Sequence, residues 1–191
     1  MGFLDALFGR SKPKKPDLDQ LFGLPQAALT LQASVGFEPT GVGAVCYRAA
    51  EGGAFAGTEA DVQRLLDADA GPPVERVIDD YGFTWLVVRH DASDAAGLVT
   101  DLHAVNSALE GAGFGPALLC SMVSFQDREQ RRLALVYLYK RGTFYPFAPQ
   151  DDRRQVRDNP LELQVKGLIV NDLRLEEDIS KWMAIWGAPG L

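Results

Sequence analysis

The chain holds two histidines, His90 and His103, and two cysteines, Cys46 and Cys120, so its means for acid–base, nucleophilic or metal chemistry are few. Asp101-x-His103 has the composition of a catalytic pair. On a helix, though, two positions apart means about 200° around the axis, so the side chains diverge. His103 then shares a flank with Asn106 and Glu110 beside an apolar stripe, the setting of a solvated helix residue. His90-Asp91 closes a strand at a loop, where a site can sit, but no second ligand accompanies it. Zinc needs three or four closely held His, Cys or carboxylate ligands, and two isolated cysteines with two separated histidines do not supply them. G-x-S-x-G, G-x-x-x-x-G-K-[ST] and H-E-x-x-H do not occur in the sequence. Gly41-Val-Gly43 and Gly111-Ala-Gly-Phe-Gly115 are too loose for phosphate cradles, and the second reads as a helix stop. Asp79-Asp80 falls in a turn, as a solvated pair more than a general acid and base. The expectation is a protein with no catalytic residues, metal ligands or cofactor, acting by contact.

One pair of charges stands out. Lys140-Arg141 interrupts Leu133 to Pro149, LALVYLYKRGTFYPFAP, where Phe144, Tyr145 and Phe147 follow within six residues of Arg141. Leu133, Leu135, Tyr137 and Tyr139 fall on one side of a strand, with Ala134, Val136 and Leu138 on the other. Both sides are apolar, which predicts a central strand covered on both faces. After Gly142, TFYPFAP must be an edge strand or a departing loop, because proline cannot donate to a ladder. Lys140, Arg141, Phe144, Tyr145 and Phe147 are therefore the candidate partner contact, able to grip an acidic helix or a lipid phosphate. The alternative is an ordinary charged gatekeeper that blocks strand addition.

At 191 residues and 47% hydrophobic, the chain can bury a proper core, and one domain is expected. A formal net charge of −7 argues against nucleic acid as a partner. The charge is unevenly spread. Arg10, Lys12, Lys14 and Lys15 against Asp5 give residues 1–16 a net of +3, which leaves −10 on residues 17–191 out of the total of −7. Two thiols and no export signal indicate a reducing cytoplasm, and no stretch reaches the length of a membrane span.

Residues 1–16 are set apart as an amphipathic, basic N-terminal segment, with residues 17–191 as a single α+β domain. Phe3, Leu4, Leu7 and Phe8 form one stripe of about two helical turns, and Arg10, Lys12, Lys14 and Lys15 follow at once. A short apolar stripe beside a basic cluster is the pattern of an interfacial anchor on an anionic membrane. Its affinity is marginal, since each basic residue adds about 1 kcal/mol and ordering each residue costs about 1 to 2. Docking of the stripe on its own domain is the competing reading. The myristoylation pattern fails at Ala6.

The elements that must position these residues follow in order. Asp17 to Gln20 opens a short helix, and Pro25 suits the first turn of a second through Ala33. Val42 to Ala49 is a strand, and Thr58 caps a helix that ends at Gly71-Pro-Pro73. Val74 to Asp79 and Phe83 to Arg89 form a hairpin or one bent strand. Leu98, Leu102, Val105 and Leu109 mark a helix over 94–112. Leu118 to Phe125 is a strand that returns antiparallel into the central one. Asn159, Pro160 and Glu162 start a helix with Leu161, Val165, Leu168 and Ile169 inward. A last helix carries Ile179, Trp182, Met183 and Trp186, the two tryptophans reading as a core plug. This order predicts an α+β fold with a mainly antiparallel sheet of about five strands flanked by helices, and a C-terminal helical pair.

MGFLDALFGRSKP, LPQAALTLQA, GLVTDLHAVNSALEGAGFGP, LALVYLYKRGTFYPFAP and the closing WGAPGL resemble the PspA-associated PspAB family of actinobacteria and some archaea. The resemblance implies a place in the phage-shock, envelope-stress system around PspA, a membrane-sensing coiled coil, with an HtpX-type membrane protease as a further associate. It brings no catalytic residues. The leading expectation is a non-enzymatic accessory or adaptor that binds PspA on the inner face of the cell membrane. A small-ligand or peptide-binding α+β domain is the second reading, and a hydrolase using His90 or His103 the third.

Overall fold

The computed structural model describes residues 16–48, 57, 59–61, 63–64, 67–68 and 73–191. The expected membrane-contact residues, Phe3 to Lys15, lie outside these, as does Thr58. Six strands make the main sheet: β1 (Glu38–Tyr47), β2 (Glu75–Ile78), β3 (Thr84–Arg89), β4 (Leu118–Gln126), β5 (Arg132–Leu138) and β6 (Thr143–Phe147). Their spatial order is β2-β3-β1-β4-β5-β6, with every neighbouring pair antiparallel. A two-stranded ribbon follows, β7 (Pro149–Asp151) with β8 (Val156–Arg157). The helices whose bounds are fixed among the described residues are α1 (Leu24–Val35), α2 (Ala95–Gly111) and α3 (Asn159–Ile169), and residues 57, 59–61, 63–64 and 67 are helical as well. The fold is the expected α+β type.

β5 lies between β4 and β6 and is covered on both faces, as its two apolar sides demand. Leu133, Leu135 and Tyr137 enter one core cluster with the inward faces of α1, α2 and α3. Ala134, Val136 and Leu138 enter a second on the opposite face, with Trp182, Ile185 and Ala188 of the C-terminal tail. The helices thus cover one side of the sheet, and an irregular tail covers the other. β2 and β3 form a hairpin, not a bent strand. Its turn is tied by Asp79, whose Oδ1 accepts from the Tyr81 and Phe83 nitrogens at 2.9 Å each, and closed by Gly82 at φ 80.

α2 matches its expected span. The Asp94 carboxylate caps it, accepting from Gly97 N at 2.9 Å. At α3 the cap is Asp158, one residue before the expected Asn159, with Oδ1 accepting from Leu161 N at 3.1 Å. Glu162 does not close a capping box; it is buried and bound to Arg157. Asp17 to Gln20 opens a 3-10 stretch, Leu18–Gly23, and the second member of the expected C-terminal helix pair shrinks to one 3-10 turn, Ile179–Lys181. Both tryptophans of the tail turn onto the sheet. Trp182 stacks on Tyr145 at 6.0 Å between ring centroids, and Trp186 meets Phe147 edge-on at 5.0 Å. Gly187 at φ 71 and Gly190 at φ 84 break any helical continuation.

Candidate functional site

β6 ends the sheet, where proline was expected to confine it. Its outer side is not free. The segment Arg174 to Glu176 runs along it, with Phe144 N donating to Arg174 O at 2.8 Å and Glu176 N to Phe144 O at 2.7 Å. Pro146 has no N–H to offer, so this short parallel contact satisfies the donor that the edge exposes at Phe144. Phe144 faces the helical core against Tyr137, at 5.1 Å between centroids. Phe144, Tyr145 and Phe147 are all fully buried. They were expected to stand exposed beside Lys140 and Arg141 as a partner contact; the tail, more than 25 residues further along the chain, covers them instead. Of that set only Lys140 and Arg141 keep exposed side chains.

Arg141 is itself committed. Its Nε donates to Glu176 Oε2 and its Nη2 to Oε1 at 3.0 Å, while Thr143 Oγ1 donates to Oε2 at 2.9 Å. The Arg141 hydrogen bond, opposed by burial and helped by the Asp178 N–H, holds the Glu176 carboxyl down at about 2. A second buried pair pins the tail from below. Arg157 Nε donates to Glu162 Oε1 at 2.9 Å and Nη1 to Trp182 O at 2.8 Å, with the guanidinium 4.9 Å over the Phe147 ring. Burial pushes the Glu162 carboxyl up, against the lowering hydrogen bonds from Arg157 and Ala148 N.

Where this pinned tail meets the β2–β3 turn, it leaves an apolar cavity of about 350 Å³. Cys46, Cys120 and Leu138 form the floor, and Trp85 one side. Tyr81 and Phe83 of the turn face Met183, Ile185 and Trp186 of the tail across the mouth. Tyr81 and Met183 are more than half exposed, at 58% and 57%. Most of the polar groups here are paired. Asp79 Oδ2 accepts from Trp85 Nε1 at 2.9 Å, and its other oxygen holds the turn. Tyr145 OH donates to Met183 O at 2.8 Å, and Gln155 Nε2 to Tyr81 OH at 2.9 Å. Cys46 and Cys120 face each other in register on β1 and β4. The hydrogen bond that its neutral thiol shares with Cys120, and then burial, push Cys46 far up, so it stays neutral and weakly nucleophilic. The walls of the cavity are mainly apolar.

The histidines lie elsewhere. Asp101 turns away from His103, as helix geometry requires, and reaches His90: Nε2 to Asp101 Oδ2 is 2.7 Å, and Nδ1 to Asp94 Oδ2 is 3.0 Å. Burial alone would lower the His90 value, but the hydrogen bonds to Asp101 and Asp94 outweigh it and raise it. Sequence reasoning saw His90 without partners. The available signal was Asp94 and Asp101 seven apart, hence on one helix face. Ser93, the adjacent hydroxyl in the chain, donates to Asp91 at 2.7 Å. His103 packs on Phe22 with centroids 5.0 Å apart and stands 3.4 Å from Asp19. Among the described residues, no group of three or more His, Cys, Asp or Glu is placed to hold a metal ion, and no helix is long and apolar enough to cross a membrane.

Fold and site together define an α+β domain with a six-stranded antiparallel sheet, helices on one face and an apolar, aromatic-rimmed cavity on the other. The chain belongs to the PspAB family, PspA associated protein B, whose model matches residues 1–190. No curated protein and no solved structure matches it. Its role is linked to PspA.

Proposed function

We propose that the chain is a non-enzymatic accessory of PspA in the envelope-stress response, and that the cavity between Tyr81 and Met183 receives apolar side chains of PspA. The observation that supports this is the cavity itself: apolar walls, a solvent-open mouth, and polar groups already spent on internal hydrogen bonds. A helix that presents two or three apolar anchors to such a groove gains about 1.5 to 3 kcal/mol per fully buried side chain. Phe3, Leu4, Leu7 and Phe8, with Arg10, Lys12, Lys14 and Lys15, place the protein at the inner membrane surface where PspA works. An HtpX-type protease is a further member of the same assembly.

The test is capture of PspA by the tagged full chain, with anionic lipid present. Met183→Asp puts a charge at the exposed mouth and leaves the core intact, and it reduces capture at least tenfold. No PspA in any eluate sinks the proposal. Co-sedimentation with anionic vesicles checks the membrane part: the wild type pellets at low salt, and a chain with Lys12, Lys14 and Lys15 changed to Glu does not. The cavity also favours a second reading, a site for a small apolar ligand, which a metabolite-dependent thermal shift without PspA capture would support.

A further inference from the structure

We propose that Cys46 and Cys120 are an oxidisable pair, converted to a disulfide by an apolar organic hydroperoxide that enters the cavity. The chemistry needs no PspA. Three features of the pair support it.

The first is placement. Cys46 on β1 and Cys120 on β4 are directly opposite, so their side chains share one face of the sheet. The hydrogen bond between the two thiols sets sulfur against sulfur. Opposed residues of an antiparallel pair stand about 4.5 or 5.5 Å apart at Cα, inside the roughly 4.4 to 6.8 Å that a disulfide bridges. Beside the pair the ladder slips, because Leu119 is extra on β4 between the Cys46–Cys120 and Tyr47–Leu118 partners. A bulge of this kind re-aims the side chains next to it.

The second is the surroundings. Trp85, Cys46, Cys120 and Leu138 form one row across β3, β1, β4 and β5, and all four line the cavity. Both thiols are buried from bulk water, so a reagent reaches them through mainly apolar walls. An apolar cavity of about 150 Å³ holds a benzene ring. At about 350 Å³ this one takes an aryl or alkyl hydroperoxide, whereas hydrogen peroxide gains nothing from the walls.

The third is a division of roles. Cys46 is the deeper residue, 3% exposed against 8% for Cys120, and it keeps its proton. Cys120 Sγ therefore attacks a peroxide oxygen. The O–O bond breaks, and the departing oxygen takes the Cys120 proton and leaves as an alcohol. Cys120 is now a sulfenic acid. Cys46 Sγ attacks that sulfur, the S–O bond breaks, and the hydroxide leaves with the Cys46 proton as water. Two thiols and one hydroperoxide give one disulfide, one alcohol and one water. Sulfur loses two electrons and the peroxide gains them.

The experiment treats the reduced full chain with an equimolar amount of cumene hydroperoxide or of hydrogen peroxide. Remaining thiols are blocked with iodoacetamide in guanidinium, and the peptides are mapped by mass spectrometry. A Cys46–Cys120 cross-link, reversible by dithiothreitol, forms at least tenfold faster with cumene hydroperoxide, with one cumyl alcohol released per cross-link. In unfolded chain that preference disappears. With C46S, dimedone traps a sulfenic acid on Cys120; with C120S, Cys46 takes no label. No cross-link in the folded chain, or equal rates with the two peroxides, overturns the proposal. So does dimedone on Cys46 alone. If a serine variant does not fold, the two rates on the wild type decide.

Discussion

Glu176 joins the tail to the sheet, and Glu176→Gln tests that junction with almost no change of shape. The side chain is 4% exposed and accepts from Arg141, Thr143 and Asp178 N. The drop of its carboxyl from 4.5 to about 2 corresponds to roughly 3 kcal/mol favouring the ionised, folded form. The folded value lies below the unfolded one, so this contribution is complete above about pH 5 and is lost as pH falls toward 2. Gln cannot accept at both positions, and its amide would face the Arg141 donors. At pH 7 the variant should therefore lose about 2 to 3 kcal/mol in urea denaturation, a fall in Tm of about 4 to 12 °C. Trp182 Nε1 donates to Glu176 O at 3.0 Å, so tryptophan emission follows the event directly. At pH 3 more than half of the difference between the two chains should vanish, because the carboxyl is then protonated in the unfolded chain, so folding must release that proton. A pH 7 difference below about 0.5 kcal/mol, or one equally large at pH 3, refutes the assignment.

Two further outcomes follow from the same geometry. His90 has a raised folded value, so its stabilisation is complete below the ordinary 6.5 and is lost as pH rises through the raised one. The stability advantage of the wild type over His90→Asn should accordingly shrink between pH 6 and pH 8.5, and a constant difference would count against the Asp94–His90–Asp101 contact. Cys46, neutral and buried, should resist iodoacetamide at pH 8 in the folded chain and react within minutes in 6 M guanidinium, as peptide mass spectrometry would record.

The parts of the fold legible in the sequence are those whose burial is announced locally. β5 is apolar at consecutive positions, so any pairing must cover both of its faces. α2 repeats Leu98, Leu102, Val105 and Leu109 at helical spacing, and α3 carries Pro160 in its first turn. Phe144, Tyr145 and Phe147 are different, because no local pattern says what will cover an edge strand. Their cover comes from Arg174 to Glu176 and from Trp182 and Trp186, held by Glu176 and Glu162 through Arg141 and Arg157. In sequence Glu162 reads as part of a capping box, and no local pattern singles out Glu176. The tail reads as a helix because Ile179, Trp182, Met183 and Trp186 keep helical spacing, yet Trp182 and Trp186 gain more from Tyr145 and Phe147 than one isolated turn returns.

The cavity was out of reach of sequence reasoning for the same reason, and this bears on how it would work. Its two rims, Tyr81 with Phe83 and Met183 with Trp186, are about 100 residues apart in the chain, and no single element contains both. One rim is a hairpin turn fixed by Asp79, while the other is irregular backbone held by the Arg141–Glu176 pair, by the Arg157 hydrogen bond to Trp182 O and by burial of Trp182, Ile185 and Ala188. The floor between them is rigid sheet. A mouth of this kind widens when the tail moves, and the ion pair that ties the tail to the sheet is Arg141–Glu176. Loosening it at Glu176 should therefore lower stability and widen access to the cavity together, whereas a substitution on the helical face, such as Leu135→Ala, should cost about 2 to 5 kcal/mol without changing access at the mouth. That contrast separates a cavity governed by its tail from a fixed depression in a finished core.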